Sequence, residues 1–418
     1  MRYNRVPRGS ALELCRTFLL ACLMVFCLAG AVAAQSANGP SPLLDPKTKV
    51  DWWFVFKFNA EAFPNSCAVS QRGCPFGGVV QSYRQFSQQF AYASSANHSL
   101  QQGGSCLGGT TADPLGATFN QIYSGKFFYV IWNDQFYGDP MLTEAAPWGH
   151  SKGMLAWDQS GDGLVLQVST PDWPASGSST NPRKTDGNTL GCIVKDNDIM
   201  VSQHFFALKL NKNDVVAVLK ALGNASVVTD PSNVQIVNNG GPTDIQALVK
   251  ALGKESPSKE PTKDKLSSGV VLISKPSNLN VPPWQMVSAM LGGEPLRAAT
   301  WWTRPEIPTT TATTVIGCWD ESLGKAGPVE IATSGSWGGK TIGLEGLAAP
   351  EGNHAKIGVS TGAHSYAIFG DMNQQGALAP PKCKSSQNGR GGLFYVIEDP
   401  VLFGSVRDLI KGDTAPLQ

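Results

Sequence analysis

The stretch GHSKGMLAWD (residues 149–158) sets a histidine two positions before a lysine at the head of an apolar run. NHAKIGVST (353–361) repeats that arrangement. The pairs are His150 with Lys152 and His354 with Lys356. Side chains at i and i+2 of a β-strand point to the same face. Each stretch, read as a strand, therefore delivers an imidazole and an ammonium into one pocket. The chain has five histidines. Two or more of them carrying a lysine at +2 by accident is an event on the order of a few per cent, and motifs this short carry that risk. The bland alternative is a solvated edge strand that happens to hold both residue types.

The surrounding sequence alternates strand and helix patterns. WWFVFKF (52–58), KFFYVIW (126–132), GLVLQV (163–168), FFALKL (205–210), GVVLIS (269–274) and LFYVIE (393–398) are rich in aromatic and β-branched residues. Gly, Pro, Asn or Asp bound them, so they read as strands. NDVVAVLKAL (213–222), TDIQALVKAL (243–252) and PWQMVSAML (283–291) have apolar spacing near 3.6 and read as helices. The expected fold class is α/β, or mixed α+β. GKESPSKEPTKDK (253–265) is charged, holds two prolines and has nothing apolar to bury. It reads as a linker or long surface loop between a first lobe over 35–252 and a second over 266–418. Each lobe has a Trp-Trp pair on a candidate strand (Trp52-Trp53, Trp301-Trp302) and one His-x-Lys further on, the pattern of a divergent duplication.

The first residues stand apart. Arg2, Arg5, Arg8 and Arg16 precede the run TFLLACLMVFCLAGAVAA, and Ala31-Val32-Ala33 fits a cleavage site. Residues 1–34 read as a secretory signal, the alternative being a retained membrane anchor. No second run is long enough to span a bilayer. Without the signal six of nine cysteines remain (Cys67, Cys74, Cys106, Cys192, Cys318, Cys383), an even number that suits disulfides in an exported chain. No C-x-x-C pair points to zinc. Four arginines and Glu13 leave with the signal, so 33 basic and 32 acidic residues become 29 and 31. A net charge of −2 is not that of a generic polyanion binder. A polyanion would need a local basic patch, or a pH low enough to charge the histidines.

Imidazole can act as nucleophile, general base or general acid near neutral pH. A neighbouring lysine supplies positive charge suited to a phosphate oxygen. Two facing His-x-Lys pairs meet the needs of phosphodiester cleavage by a covalent route. One histidine attacks phosphorus, the other protonates the leaving oxygen, and the lysines offset charge on the equatorial oxygens. That chemistry calls for no cofactor and no metal.

The stretches VDWWFVFK (50–57), FYVIWNDQ (128–135), GHSKGMLAWD, STPDWP (169–174), SQHFFALKL (202–210), NHAKIGVS (353–360) and GDMNQ (370–374) follow one another in the order seen in a known family. The chain resembles the deoxyribonuclease II family, acid endonucleases related to phospholipase D. The resemblance implies a pseudo-dimer of two phospholipase-D-like lobes, each a mixed β-sheet flanked by helices, with one site at their junction. It implies cleavage of double-stranded DNA with little sequence specificity, without a divalent cation, best at acid pH, leaving 3′-phosphate and 5′-hydroxyl ends. It implies a catalytic set of His150, Lys152, His354 and Lys356, with Asp371 orienting or buffering a catalytic group and Asn373 as a weaker substrate contact. Export by the N-terminal signal would make it a secreted or periplasmic protein, lysosomal in an animal. The wider superfamily places an Asp seven residues after the histidine, where this chain has Trp157 and Thr361. By spacing Gln167 is the first-lobe counterpart of Asp371, with Asp172 nearby; the choice between them is open. So are the nucleophile, for which analogy favours His150, and the oligomeric state, monomer or homodimer. The competing functions are a phosphodiesterase acting on lipid and a non-catalytic DNA-binding protein on the same fold.

The remaining features have plainer readings. His204 abuts two phenylalanines and reads as a structural or loop histidine, while His98 sits in a polar stretch and reads as solvated. His364 is a minor candidate for lining the site. Trp148, next to Gly149-His150, is the best candidate for stacking on a base. DQSGDG (158–163) resembles a calcium loop but has Ser169 where a glutamate is needed, so it reads as a hairpin turn around Asp162-Gly163.

Overall fold

A computed structural model describes residue 1 and residues 39–64, 86–136, 145–183, 188–190 and 199–417. Residues 2–38, which include nearly all of the segment expected as a signal, and Cys67, Cys74 and Cys192 lie outside the described residues. Cys318 and Cys383 form a disulfide, and Cys106 is also disulfide-bonded.

Residues 38–418 form one compact unit built on two large sheets. The first holds β1 (Trp52–Lys57), β2 (Phe90–Ser94), β3 (Asn97–Gln102), β4 (Phe128–Asn133), β5 (Lys152–Trp157), β6 (Gly163–Val168), β7 (Gln203–Leu210) and β8 (Val237–Asn238). Their order is β3-β2-β1-β7-β6-β5-β4-β8. The second holds β9 (Thr262–Lys265), β10 (Val271–Lys275), β11 (Leu296–Ala299), β12 (Val329–Ile331), β15 (Ile357–Ser360), β16 (Tyr366–Gly370) and β17 (Gly392–Glu398). Its order is β12-β11-β15-β16-β17-β10-β9. A separate hairpin joins β13 (Ser334–Trp337) to β14 (Lys340–Gly343). The first sheet is antiparallel throughout, and the second has one parallel pair, β11 with β12.

Each sheet contains the same five-strand unit. Strands β1-β7-β6-β5-β4 and β10-β17-β16-β15-β11 match in spatial order, in chain order and in antiparallel pairing. This register corrects the pairing drawn from the tryptophans. WWFVFK of β1 corresponds to VLISK of β10, whereas Trp301-Trp302 follows the end of β11. Both equivalent strands end in a lysine. Lys57 and Lys275 are fully buried, and each ammonium donates to three main-chain carbonyls. Those carbonyls satisfy the ammonium's three donors, without which burial of the charge would be costly.

Period-two alternation builds the core. From β1, Trp53 turns to the outer helix α1 (Pro114–Tyr123) and donates from Nε1 to Thr118. Phe54 turns the other way and stacks on Phe369 of β16, ring centroids 4.3 Å apart. Phe206 of β7 meets both Phe369 and Tyr395 of β17. The sheets thus share one aromatic core between them. Helix α2 (Lys212–Asn224) starts at a capping box of Asn211 and Asp214 and packs against strands of both sheets. Helix α3 (Thr243–Ala251) packs on α2. Helix α4 (Pro283–Met290) covers the far face of the second sheet, where Trp284 meets Phe394 edge-on. Helix α5 (Pro400–Leu409) is capped by Asp399, which also bonds His98 Nδ1 at 2.5 Å. His98, on β3, keeps a side chain 40% exposed while making this contact.

Two loop expectations change. Thr262–Lys265, the end of the segment expected as a linker, forms the edge strand β9. The β5–β6 hairpin turns at Gly161, whose φ is 95°, and Gly163 already belongs to β6. Among the described residues no helix is long and apolar enough to cross a membrane.

Candidate active site

The two His-x-Lys pairs occupy equivalent places. Lys152 is the first residue of β5, and Lys356 immediately precedes β15. The histidines lie two residues earlier, on extended chain that crosses to the other half. His150 N–H donates to Gly391 O at 2.7 Å, just ahead of β17. His354 N–H donates to Ser202 O at 2.7 Å, just ahead of β7. Each half thus positions the other's histidine through its own main chain. Lys152 and Lys356 are 3% exposed, His150 is 8% exposed and His354 is half-buried.

His150 is held by Asp371, which follows β16. Its Nδ1 lies 2.6 Å from the main-chain oxygen of Asp371, so Nδ1 carries the proton and donates. That leaves the Nε2 lone pair available. The Asp371 carboxylate accepts from Ser151 Oγ (2.6 Å), Leu393 N (3.0 Å) and Gln167 Nε2 (2.9 Å). Burial pushes this carboxyl up to about 7, against those hydrogen bonds and the pull of Lys152.

His354 has different neighbours. Its Nδ1 faces Gln203 Nε2 at 3.4 Å, and its ring meets Trp301 edge-on with centroids 4.1 Å apart. Gln203 Oε1 accepts from Ser169 Oγ at 2.5 Å, and Ser169 Oγ accepts from His204 N at 2.8 Å. His204 is not a loop residue. It is fully buried on β7, and its Nδ1 accepts the Lys356 N–H at 3.1 Å.

Electrostatics couple the pairs. Burial, then Lys152, with Arg390 and Lys356 adding and Asp134 opposing, holds His150 well below the ordinary histidine range. Burial, then Lys356, Lys152, His150 and Lys57, does the same to His354. Burial and Lys356 also lower His204. The histidines are therefore neutral at neutral pH unless an anion joins them.

The sequence left Gln167 and Asp172 open as counterpart of Asp371, and neither holds that place. Continuing the hairpin registers puts Ser169 opposite the same positions as Asp371. Both residues exchange the same bonds with β7 or β17. Ser169 N and Oγ bond His204, and Asp371 N and Oδ2 bond Leu393. Gln167 instead supports Asp371 directly. Asn373 is buried and bonds Gln375 and Gln387. Trp148 is half-buried against the core, and its carbonyl accepts from Arg390 Nε at 2.9 Å. His364 is exposed, stacks on half-buried Tyr366 and pairs with Glu398. Sequence reasoning missed Asp134, Gln203, Trp301 and Arg390. Only Asp134 left a signal, as a carboxylate closing the apolar strand FYVIWN.

The family model for deoxyribonuclease II matches residues 42–413, nearly the whole chain. No curated protein matches it.

Proposed function

The chain belongs to the deoxyribonuclease II family and is a deoxyribonuclease, and from that premise we propose that it cleaves DNA without a metal, through a covalent phosphohistidine. His150 Nε2 attacks phosphorus and forms a nitrogen–phosphorus bond as the bond to the 5′ oxygen breaks. His354 gives that oxygen its proton. Water then attacks phosphorus, returns a proton to His354 and releases His150, leaving a 3′-phosphate and a 5′-hydroxyl. Lys152 and Lys356 offset charge on the equatorial oxygens.

The contrast between the two Nδ1 partners carries this assignment. A main-chain carbonyl only accepts, so Asp371 O keeps the His150 proton on Nδ1 before attack and throughout the covalent stage. A side-chain amide can present either oxygen or nitrogen, so Gln203 suits a ring that gains and loses a proton each turnover. An acid requirement follows. Burial and four neighbouring basic groups disfavour the His354 imidazolium, and low pH together with a bound phosphate restores it.

We extend the proposal to the halves and to their destination. Residues 35–252 and 266–418 are read as lobes of one duplicated unit, supported by the shared strand order. Export is supported by the N-terminal pattern and by the disulfides. Plasmid nicking at pH 5 in EDTA, followed by end analysis, tests the chemistry. The expected result is nicks bearing 3′-phosphates. Activity that EDTA abolishes would overturn it.

A further inference from the structure

Beside Lys152 lies a buried group of charges from both halves. Asp134 follows β4 and is 1% exposed. Its Oδ1 meets Lys152 Nζ at 2.5 Å, and its Oδ2 meets Arg390 Nη2 at 2.6 Å. Arg390, from the segment just before β17, also donates to Trp148 O (2.9 Å) and Gly149 O (3.1 Å), the two residues ahead of His150. The carbonyl of Arg390 is itself fixed by Lys275 Nζ at 2.9 Å.

The charge sum explains why three ions stand here. Asp134 alone would aim the Lys152 ammonium but cancel its charge. A site for a phosphate anion needs that charge. Arg390 occupies the second carboxylate oxygen, so two cations share one anion and the group keeps a net positive charge. The planar guanidinium spans the carboxylate and both carbonyls from a fixed fork of donors, a geometry that the compact ammonium of a lysine does not reproduce. The equivalent position in the other half is Trp301, which has no charge.

Building on the nuclease reading above, we propose that Asp134 and Arg390 are a pair of positioning residues for the reaction. Asp134 orients Lys152 toward the phosphate, and Arg390 preserves the group's positive charge while fixing the approach of the chain to His150. Neither touches substrate.

The two charges act on His150 in opposite directions, with Asp134 raising its proton affinity and Arg390 lowering it. The test is the low-pH limb of kcat/KM for DNA nicking, which reports the nucleophile in the free enzyme. In Arg390→Gln the limb moves to higher pH and kcat falls roughly 10²-fold, the scale of a misplaced catalytic group. In Asp134→Asn the limb moves to lower pH. Arg390→Lys restores the limb but not the whole of kcat. In the double variant D134N/R390Q the limb returns toward the wild-type position. Limbs that stay in place while kcat falls would reduce the group to a structural staple and overturn the proposal. If R390Q does not fold, D134N carries the test alone, and an unmoved limb there overturns it. Wild-type protein that fails to nick DNA in EDTA would remove the underlying reading instead, a result distinguishable from unmoved limbs in an active enzyme.

Discussion

Where the first half of the site has a carboxylate, the second has an indole. Asp134 pairs with Lys152, and at the equivalent position Trp301 packs on His354. Where the first histidine has a fixed carbonyl at Nδ1, the second has a side-chain amide. The strands beneath are equivalent, so the fold does not dictate these differences. They teach that two equivalent strand frames can hold two identical motifs in different surroundings. In the proposed mechanism the first imidazole keeps a single tautomer, and the second changes protonation in each turnover.

The largest expected effect separates the two histidines. His150→Asn and His354→Asn should each lower plasmid nicking at pH 5 by about 10³-fold or more, the upper range for acid–base and nucleophilic groups. A p-nitrophenyl phosphodiester, whose leaving group needs no proton, should return the first-turnover burst of nitrophenol in His354→Asn to within about tenfold of wild type, with hydrolysis of the covalent intermediate still slow. His150→Asn should stay inactive on it. The reverse pattern would exchange the roles.

Next comes Asp371, which joins the halves. Asp371→Ala strands Leu393 N, Gln167 Nε2 and Ser151 Oγ. It should cost about 3 kcal/mol in urea unfolding, given about 1–3 kcal/mol for each buried polar group left unpaired. Asp371→Asn is milder, with a pH signature. The carboxyl sits at about 7 in the folded protein against 3.8 as its ordinary value. The folded state therefore binds the proton more tightly. Wild type should lose stability relative to Asp371→Asn as pH rises from about 4 to about 7, at no more than about 1.4 kcal/mol per unit. A flat difference would contradict the protonated carboxyl.

Gln203→Glu tests the second histidine's partner. A carboxylate there favours the imidazolium, so the alkaline limb of activity should move up by about one pH unit. The smallest effect belongs to Trp301→Phe, which keeps an aromatic edge and should change kcat only about two- to threefold; ring contacts of this kind are worth about 0.5–1.5 kcal/mol. A loss near that of His354→Asn would mean that the indole does more than pack.

The sequence exposed what is local. His150-x-Lys152 and His354-x-Lys356 are visible because strand geometry links i to i+2. WWFVFK and LFYVIE are visible because buried strands concentrate aromatic and β-branched residues. Spacing failed for the partner of Asp371 because the first hairpin is longer by one residue pair. Ser169 lies 19 residues after His150, whereas Asp371 lies 17 after His354. The Trp-Trp pairs misled because Trp52-Trp53 opens a strand while Trp301-Trp302 follows one. Arg390 and Gln203 were invisible since their contacts join chain segments 256 and 151 residues apart. A sequence pattern carries no record of which side chains meet across two packed sheets.

The division of labour between the histidines is tested most directly by trapping the intermediate. Wild-type protein would be mixed with labelled DNA at pH 5 and quenched within one turnover in alkaline denaturant, where a nitrogen–phosphorus bond survives. Peptide mapping then locates the DNA 3′-phosphoryl group. The expected result is a single adduct on the peptide containing His150. An adduct on His354, or turnover with no protein-linked DNA at any time, would contradict the account.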